Sequence, residues 1–193
     1  MAKITWPGGT LLAPVPAVIV TSGTMEKPNA ATVAWTGIVN SEPPMTYISL
    51  RKSRHSHKII SETGEFVINM TTGSLAKATD ACGVYTGAKL NKIKAYSLTP
   101  EKASKVSCPT LAQSPLCLEC KVVEVKELGS HDMFLAEIVA VDVDENYVDE
   151  KGKLDLKKAN LLAYAHGDYI QLGKKIGSFG FAVKKKKKDQ GKA

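Results

Sequence analysis

Only two of the 26 basic residues are arginines, and both stand in one octapeptide, Arg51-Lys-Ser-Arg-His-Ser-His-Lys58. A guanidinium offers planar, paired donors that match phosphate oxygens, which a lysine ammonium does not. The hydroxyls of Ser53 and Ser56 and the rings of His55 and His57 lie among them. The octapeptide follows a strand-like run, Thr46 to Leu50, and leads into a helix-like one, so free N–H groups at a helix start would join the same donor set. This is the composition of a phosphate site. It is equally the composition of a solvated helix start, and composition alone leaves both readings open.

Other residues could carry chemistry. Trp35 ends the run Asn29-Ala-Ala-Thr-Val-Ala-Trp35, where Ala30, Ala31 and Ala34 would let a flat ligand approach the backbone closely. Backbone groups of Val33 and Ala34 could then read a heterocycle's edge. Alternatively Trp35 is a core aromatic whose indole N–H needs one partner; Tyr164 and Tyr169 have the same two readings. His131 lies in Gly129-Ser-His-Asp132, beside Ser130 and Asp132. Sequence neighbours diverge in direction and cannot form a nucleophile, base and orienter line, so these three do not make a hydrolase triad. Cys117-Leu-Glu-Cys120 has metal-pair spacing, but on a strand residues three apart face opposite ways, and Cys82 and Cys108 supply no second pair. Structural thiols are expected, with a thiol metal site as the lesser alternative.

The elements that must position these residues are mostly strands. Ala17 to Thr21, Ala30 to Val39, Thr46 to Leu50 and Glu65 to Asn69 are short β-rich runs, and a turn is expected at Lys27-Pro28-Asn29. Leu116 to Leu128 and Met133 to Val143 alternate and read as an antiparallel hairpin around Gly129-Ser-His-Asp132. Final strands are expected over 164–172 and 176–183. Helices are expected over Ser53 to Thr63, with a Ser or Thr-like cap and closed by Gly64, and over Ser74 to Cys82, ended by Gly83. Val84 to Pro109 reads as loop with at most one helical turn. Many strands with few helices predict a mainly β fold with α insertions, an antiparallel Greek-key-like barrel rather than βαβ units. No dinucleotide-binding glycine pattern and no P-loop occurs.

Charge narrows the function classes. The chain of 193 residues carries +7, but residues 184–193 hold +5 and residues 51–58 hold +4, so the remainder is slightly acidic. A uniformly basic nucleic-acid-binding surface is therefore not predicted, although a β-barrel that binds nucleic acid through the Lys184–Lys188 run is the alternative from another class. Nothing reads as a membrane span or secretory signal, and four cysteines are too few for a disulfide framework, so a cytoplasmic protein with free thiols is expected. We expect one domain over 1–183 and a lysine-rich tail over 184–193.

Pro14-Val-Pro-Ala-Val-Ile-Val, Asn29 to Trp35, Asn40-Ser-Glu-Pro-Pro, Ser49-Leu-Arg51, Gly64-Glu-Phe-Val-Ile-Asn69, Leu118-Glu-Cys-Lys-Val, Gly129-Ser-His-Asp132 and Gly177-Ser-Phe-Gly-Phe181 occur in this order along nearly the whole chain. Taken together they resemble the flavin reductase-like family, in particular its flavoredoxin type. The resemblance implies an FMN-binding split barrel, a homodimer with FMN near the subunit interface, and redox function. That function would be either electron transfer with a partner protein or small acceptor, or NAD(P)H-dependent flavin or ferric reduction. It implies FMN contacts at Asn29, Thr32, Val33, Ala34 and Trp35, at Ser49, Leu50 and Arg51, at Ser53, His55 and Ser56, and at Lys92, His131 and Tyr164. Relatives often carry Thr at the place of Ser56 and Phe at that of Tyr164. The loop Val84 to Lys92 lacks the Ser-Gly-Arg version from which a pyridine-nucleotide contact is normally drawn. The phosphate is expected against Arg51 and residues 53–56, with Trp35 and Tyr164 as walls of the ring site. Lys92 near the pyrimidine edge would favour the anionic reduced cofactor. His131 is the candidate catalytic residue, either as a hydrogen-bond partner of the flavin or as a proton relay.

Overall fold

The computed structural model describes residues 1–183; the lysine run expected as a tail lies outside the described residues. The chain runs through β1 (Val15–Pro16), β2 (Val18–Gly23), β3 (Pro28–Val33), β4 (Thr36–Ser41), β5 (Pro44–Leu50), α1 (His55–Thr63), β6 (Glu65–Met70), α2 (Ala76–Val84), α3 (Lys92–Ala95), β7 (Pro100–Glu101), β8 (Thr110–Leu111), β9 (Leu116–Glu127), β10 (Asp132–Val143), β11 (Leu162–Ala165) and β12 (Asp168–Gln171). Seven strands form one antiparallel sheet in the order β3-β2-β6-β9-β10-β5-β4.

Side-chain alternation explains how the sheet curls. Val18 and Val20 of β2, Val33 of β3, Ile48 and Leu50 of β5, Phe66 and Ile68 of β6, Cys120 of β9 and Phe134 and Ala136 of β10 share one buried cluster with Ile60 of α1. Strands from both ends of the sheet meet there, so the sheet is rolled into a barrel around that cluster, and one helix plugs it. The opposite faces of the same strands are covered as well. Ile19 packs with Leu75, Ala78 and Cys82 beneath α2, and Val67 packs with Ala103, Val106 and Cys108 beneath the long segment before β8. Burial on both faces is why β2 and β6 read as continuous apolar runs rather than as alternation. Asn69 ties the layers: its amide donates to Ile19 O and Thr21 Oγ1, both at 3.0 Å, and its carbonyl accepts from Leu111 N–H at 2.9 Å.

Several expectations need correction. The run Ala30 to Val39 is two strands, because the chain bends at Ala34-Trp35 and β4 turns away to pair with β5. Pro28 and Asn29 belong to β3, and the turn falls earlier, over residues 24–27. Arg54, not a serine, precedes α1, and no side-chain cap bond is made there, while Gly64 closes the helix in the left-handed region at φ 68° as expected. Gly83 lies inside α2, which runs on to Val84. The segment 164–172 is a hairpin, β11 and β12, turning at His166-Gly167, and Ile176–Val183 forms no strand, ending in a single tight turn at Phe181–Val183. Local β propensity there has no neighbouring strand to pair with.

Candidate functional site

A cavity of about 340 Å³ opens where β3 gives way to the bend before β4. Thr32, Val33, Ala34 and Trp35 form one wall. Ser49, Leu50 and Arg51 at the end of β5 form the next, with Arg54 ahead of α1. Asp80, Gly83 and Val84 of α2, His131 of the β9–β10 turn, and Tyr164 and Tyr169 of the C-terminal hairpin complete it. Each is placed by a backbone feature. Ser49 N–H donates to Trp35 O at 2.9 Å, which joins the end of β5 to the bend. Thr32 Oγ1 donates to Thr79 O, tying β3 to α2. Gly83 faces Thr32 closely enough that a Cβ there would be in van der Waals contact with the Thr32 side chain at 3.4 Å.

Trp35 is not a core residue: it is 46% exposed, and its ring stacks on His131 with centroids 6.3 Å apart and planes 13° apart. The other aromatic wall is Tyr164, edge-on to Tyr169 at 5.7 Å. Burial and the neighbouring Asp80 carboxylate push the Tyr169 phenol up to about 12. The basic end of the cavity is held open by geometry. Arg54 N–H bonds back to Arg51 O at 2.9 Å, which closes the turn ahead of α1, and Arg54 Nη1 donates to Gly83 O at 2.8 Å; both arginines line the cavity there. The first N–H groups of that helix have no partner within it, and its dipole adds positive potential there.

Of the remaining predicted residues, three lie toward the other end of β3. Asn29, His55 and Lys92 line a second cavity of about 630 Å³, closed by the loop through Gly87. A Cβ at Gly87 would fall 2.0 Å from Asn29 Oδ1 and 3.1 Å from the His55 ring, so that loop depends on a glycine. Asn29 Nδ2 donates to Ser56 Oγ at 2.8 Å and Ser22 Oγ at 3.2 Å, which fastens α1 to β3. Ser56 is thus buried in a structural contact, and Ser53 is exposed in the turn before the helix. Lys92 is buried and donates from Nζ to Cys82 O at 3.1 Å and Tyr85 O at 3.0 Å, capping the end of α2. Burial holds its ammonium below the ordinary lysine range, against the opposing pull of Cys82. Arg54, within the expected phosphate segment, and Tyr169, with its ligand-wall reading, both line the cavity, whereas Asp80 and Gly83 carry no sequence signal for it. Only the packing of α2 on β3 brings those two to the site.

The four thiols are free and buried. Cys117 and Cys120 face opposite sides of β9 and belong to separate clusters, Cys117 beneath the segment before β8 and Cys120 inside the barrel. Burial pushes the Cys108 thiol up to about 12.

A cavity lined by aromatic rings, with two arginines and a helix start beside it, offers the contacts of a planar ring carrying a phosphate. The family model for the flavin reductase like domain matches residues 11–173. The chain belongs to that family. Flavoredoxin of Desulfovibrio vulgaris (Miyazaki F) superposes with a TM-score of 0.88 at 29% identity, covering 95% of this chain and 100% of that one. The FMN-binding protein of Thermus thermophilus with bound 1-cyclohex-2-enone shares the fold at a TM-score of 0.76 and 23% identity, over 92% of this chain and 97% of that one. An uncharacterized protein of Archaeoglobus fulgidus is 34% identical over 146 residues, 76% of this chain and 82% of its own. The antiparallel barrel is the one that its alternating strands predicted, and the split-barrel form is the one that the resemblance implied.

Proposed function

We propose that the protein binds FMN and works as a redox flavoprotein. The observation that carries this is the meeting of Arg51 and Arg54 with Trp35 and Tyr164 around one cavity, from three separate stretches of chain. FMN, when bound, supplies the electron-transfer chemistry; the protein holds and orients it. In this reading Thr32, Val33, Ala34 and Trp35 with Ser49 and Leu50 wall the ring, and Tyr164 covers it. Arg51, Arg54 and the exposed Ser53 neutralise the phosphate at the N-terminal end of α1. The second cavity, with Asn29, His55 and Lys92, lies beside the same helix start and receives the outer part of the phosphate chain. Ser56 acts through Asn29, and Lys92 shapes the loop from beneath. His131, half-buried and bonded from Nδ1 to Ser130 Oγ at 2.9 Å, is the group placed to hold or pass a proton at the open side.

The site draws on residues from Ala17 to Tyr169, which supports treating 1–183 as one domain. A homodimer fits the apolar surface beside the cavity, where Trp35 is joined by exposed Ile38 and Val39 of β4. Free buried thiols agree with a cytoplasmic setting, and no helix among the described residues is long and apolar enough to cross a membrane. Purified protein titrated with FMN tests the main reading: a flavin spectrum and tight binding are expected, lost in Arg51→Ala and kept in Lys186→Ala. Protein that takes up no FMN ends it. Anaerobic mixing with NADH and NADPH then separates a reductase, whose flavin colour bleaches, from an electron carrier, whose colour persists.

A further inference from the structure

His57 and Asp132 form a buried pair outside both cavities. His57 Nε2 lies 2.8 Å from Asp132 Oδ2, and the two side chains retain 16% and 5% of their exposure. Among the described residues this is the only hydrogen bond of the Asp132 carboxylate: its other oxygen, Oδ1, is buried without a donor and has only the Lys52 ammonium at 3.7 Å. Lys52 itself is drawn away to Glu127 at 2.6 Å. The His57 ring also meets Phe134 edge-on at 5.1 Å. A carboxylate so withdrawn from water is costly unless a close partner compensates it, so the pair has one favoured geometry.

What that geometry fixes is the cavity. Asp132 is the first residue of β10 and pairs across the sheet with Leu50, the last residue of β5. His131 precedes it, and neighbouring residues on extended backbone point to opposite faces. Pulling Asp132 inward toward α1 therefore turns His131 outward, over Trp35. On the other partner, His57 lies one turn along α1 from Arg54, on the same side of the helix, and its N–H bonds Arg54 O at 3.0 Å. Gripping His57 sets the rotation of α1, and with it the direction of Arg54 toward Gly83 O.

We propose that His57 and Asp132 are positioning residues, a pin that holds the His131 turn and the Arg54 end of α1 in register across the cavity. The inference rests on the flavin-site reading for its consequence, but not for its first readout. Trp6 and Trp35 are the two tryptophans, so in a Trp6→Phe background the fluorescence of the cofactor-free protein reports Trp35 alone. A stacked imidazole quenches indole emission, and His131→Ala gives the unquenched level. His57→Phe keeps the ring contact to Phe134 and removes the bond to Asp132; its Trp35 emission is expected to rise to the His131→Ala level. His57→Asn, whose amide is too short to span the gap, is expected to do the same should the phenyl ring not be accommodated. His57→Gln, whose amide nitrogen can stand where Nε2 stood, is expected to stay at the level of the parent. FMN affinity should follow the same order, weakened roughly tenfold when the bond is broken and restored by Gln. Unchanged emission in both His57→Phe and His57→Asn overturns the pin, and so does a Gln variant no better than Phe, which would make ring packing the only role. If the parent binds no FMN, the flavin reading fails while the emission series still decides the pin.

Discussion

Trp35 and Lys92 exchange the roles that their residue types suggest. A strand tryptophan is usually core and a lysine usually surface, yet here the indole is half-exposed beside the cavity and the ammonium is buried under a helix end. Their substitutions should separate accordingly. Trp35→Ala is expected to leave thermal stability within about 0.5 kcal/mol of the parent while weakening FMN about tenfold in a fluorescence titration. Lys92→Met removes the donor for the carbonyls of Cys82 and Tyr85, and should cost about 2 kcal/mol in urea unfolding, the scale of hydrogen bonds to a charged group. A Lys92→Met protein as stable as the parent would show that water replaces the ammonium.

The β9–β10 hairpin carries a second polar device on the face away from the barrel. Glu119 is fully buried, and its carboxylate accepts from Ser104 N–H at 2.7 Å, Ser104 Oγ at 2.8 Å, Lys105 N–H at 2.6 Å and Val106 N–H at 3.1 Å, fastening the long segment before β8 to the sheet. Asp142 lies diagonally across the pair of strands, since Glu119 pairs with Ala140 and Cys117 with Asp142. Its Oδ2 is buried without a donor, and the groups around its recess, Glu101, Cys117, Asp144 and Glu145, bring no positive charge. Burial first, and then the Glu119 charge, push the Asp142 carboxyl up. Burial pushes Glu119 up too, but the N–H donors of Ser104 and Lys105 outweigh it and hold that carboxyl down. Of the two carboxyls, Asp142 is therefore the one that holds a proton more readily. A raised folded value means that the Asp142 contribution is complete at acid pH and is lost as pH rises through it. The Glu119 contribution has the opposite sign, lost as pH falls through its lowered value. Urea stability should decline as pH rises above the ordinary aspartate range, and Asp142→Asn, which keeps a donor but cannot titrate, should flatten that decline. An unchanged slope in the Asn variant would assign the decline elsewhere.

At the scale of the molecule, the cavity is bordered by surface that asks for cover. Ile38 is 67% and Val39 50% exposed on the edge strand β4, next to Trp35, and an open apolar edge strand favours pairing with another chain. Light scattering coupled to gel filtration should give the mass of a dimer. Ile38→Lys should shift it toward the monomer and weaken FMN in parallel, because the same edge borders the ring site. A monomeric Ile38→Lys variant with full FMN affinity would place the dimer contact away from the site.

The sequence by itself determined the residue types and the local periods: two arginines in one octapeptide, small residues ahead of Trp35, a long alternating hairpin, and an ordered set of motifs resembling one family. Those are local properties, and strand alternation and turn chemistry report them directly. It misjudged the stretches where neighbours decide, splitting neither the Ala30 to Val39 run nor the hairpin at His166-Gly167, because a β-rich segment becomes a strand only when another strand pairs with it. The site divided in the same way. Arg51, Trp35, His131 and Tyr164 are candidates by residue type, and the family resemblance is what names them as contacts. Asp80 and Gly83 enter only because Thr32 and Thr79 clamp α2 onto β3, and Asn29 and Lys92 fall in a separate cavity at the start of that strand. Which side chains converge depends on contacts between segments far apart in the chain, and tertiary packing alone sets those.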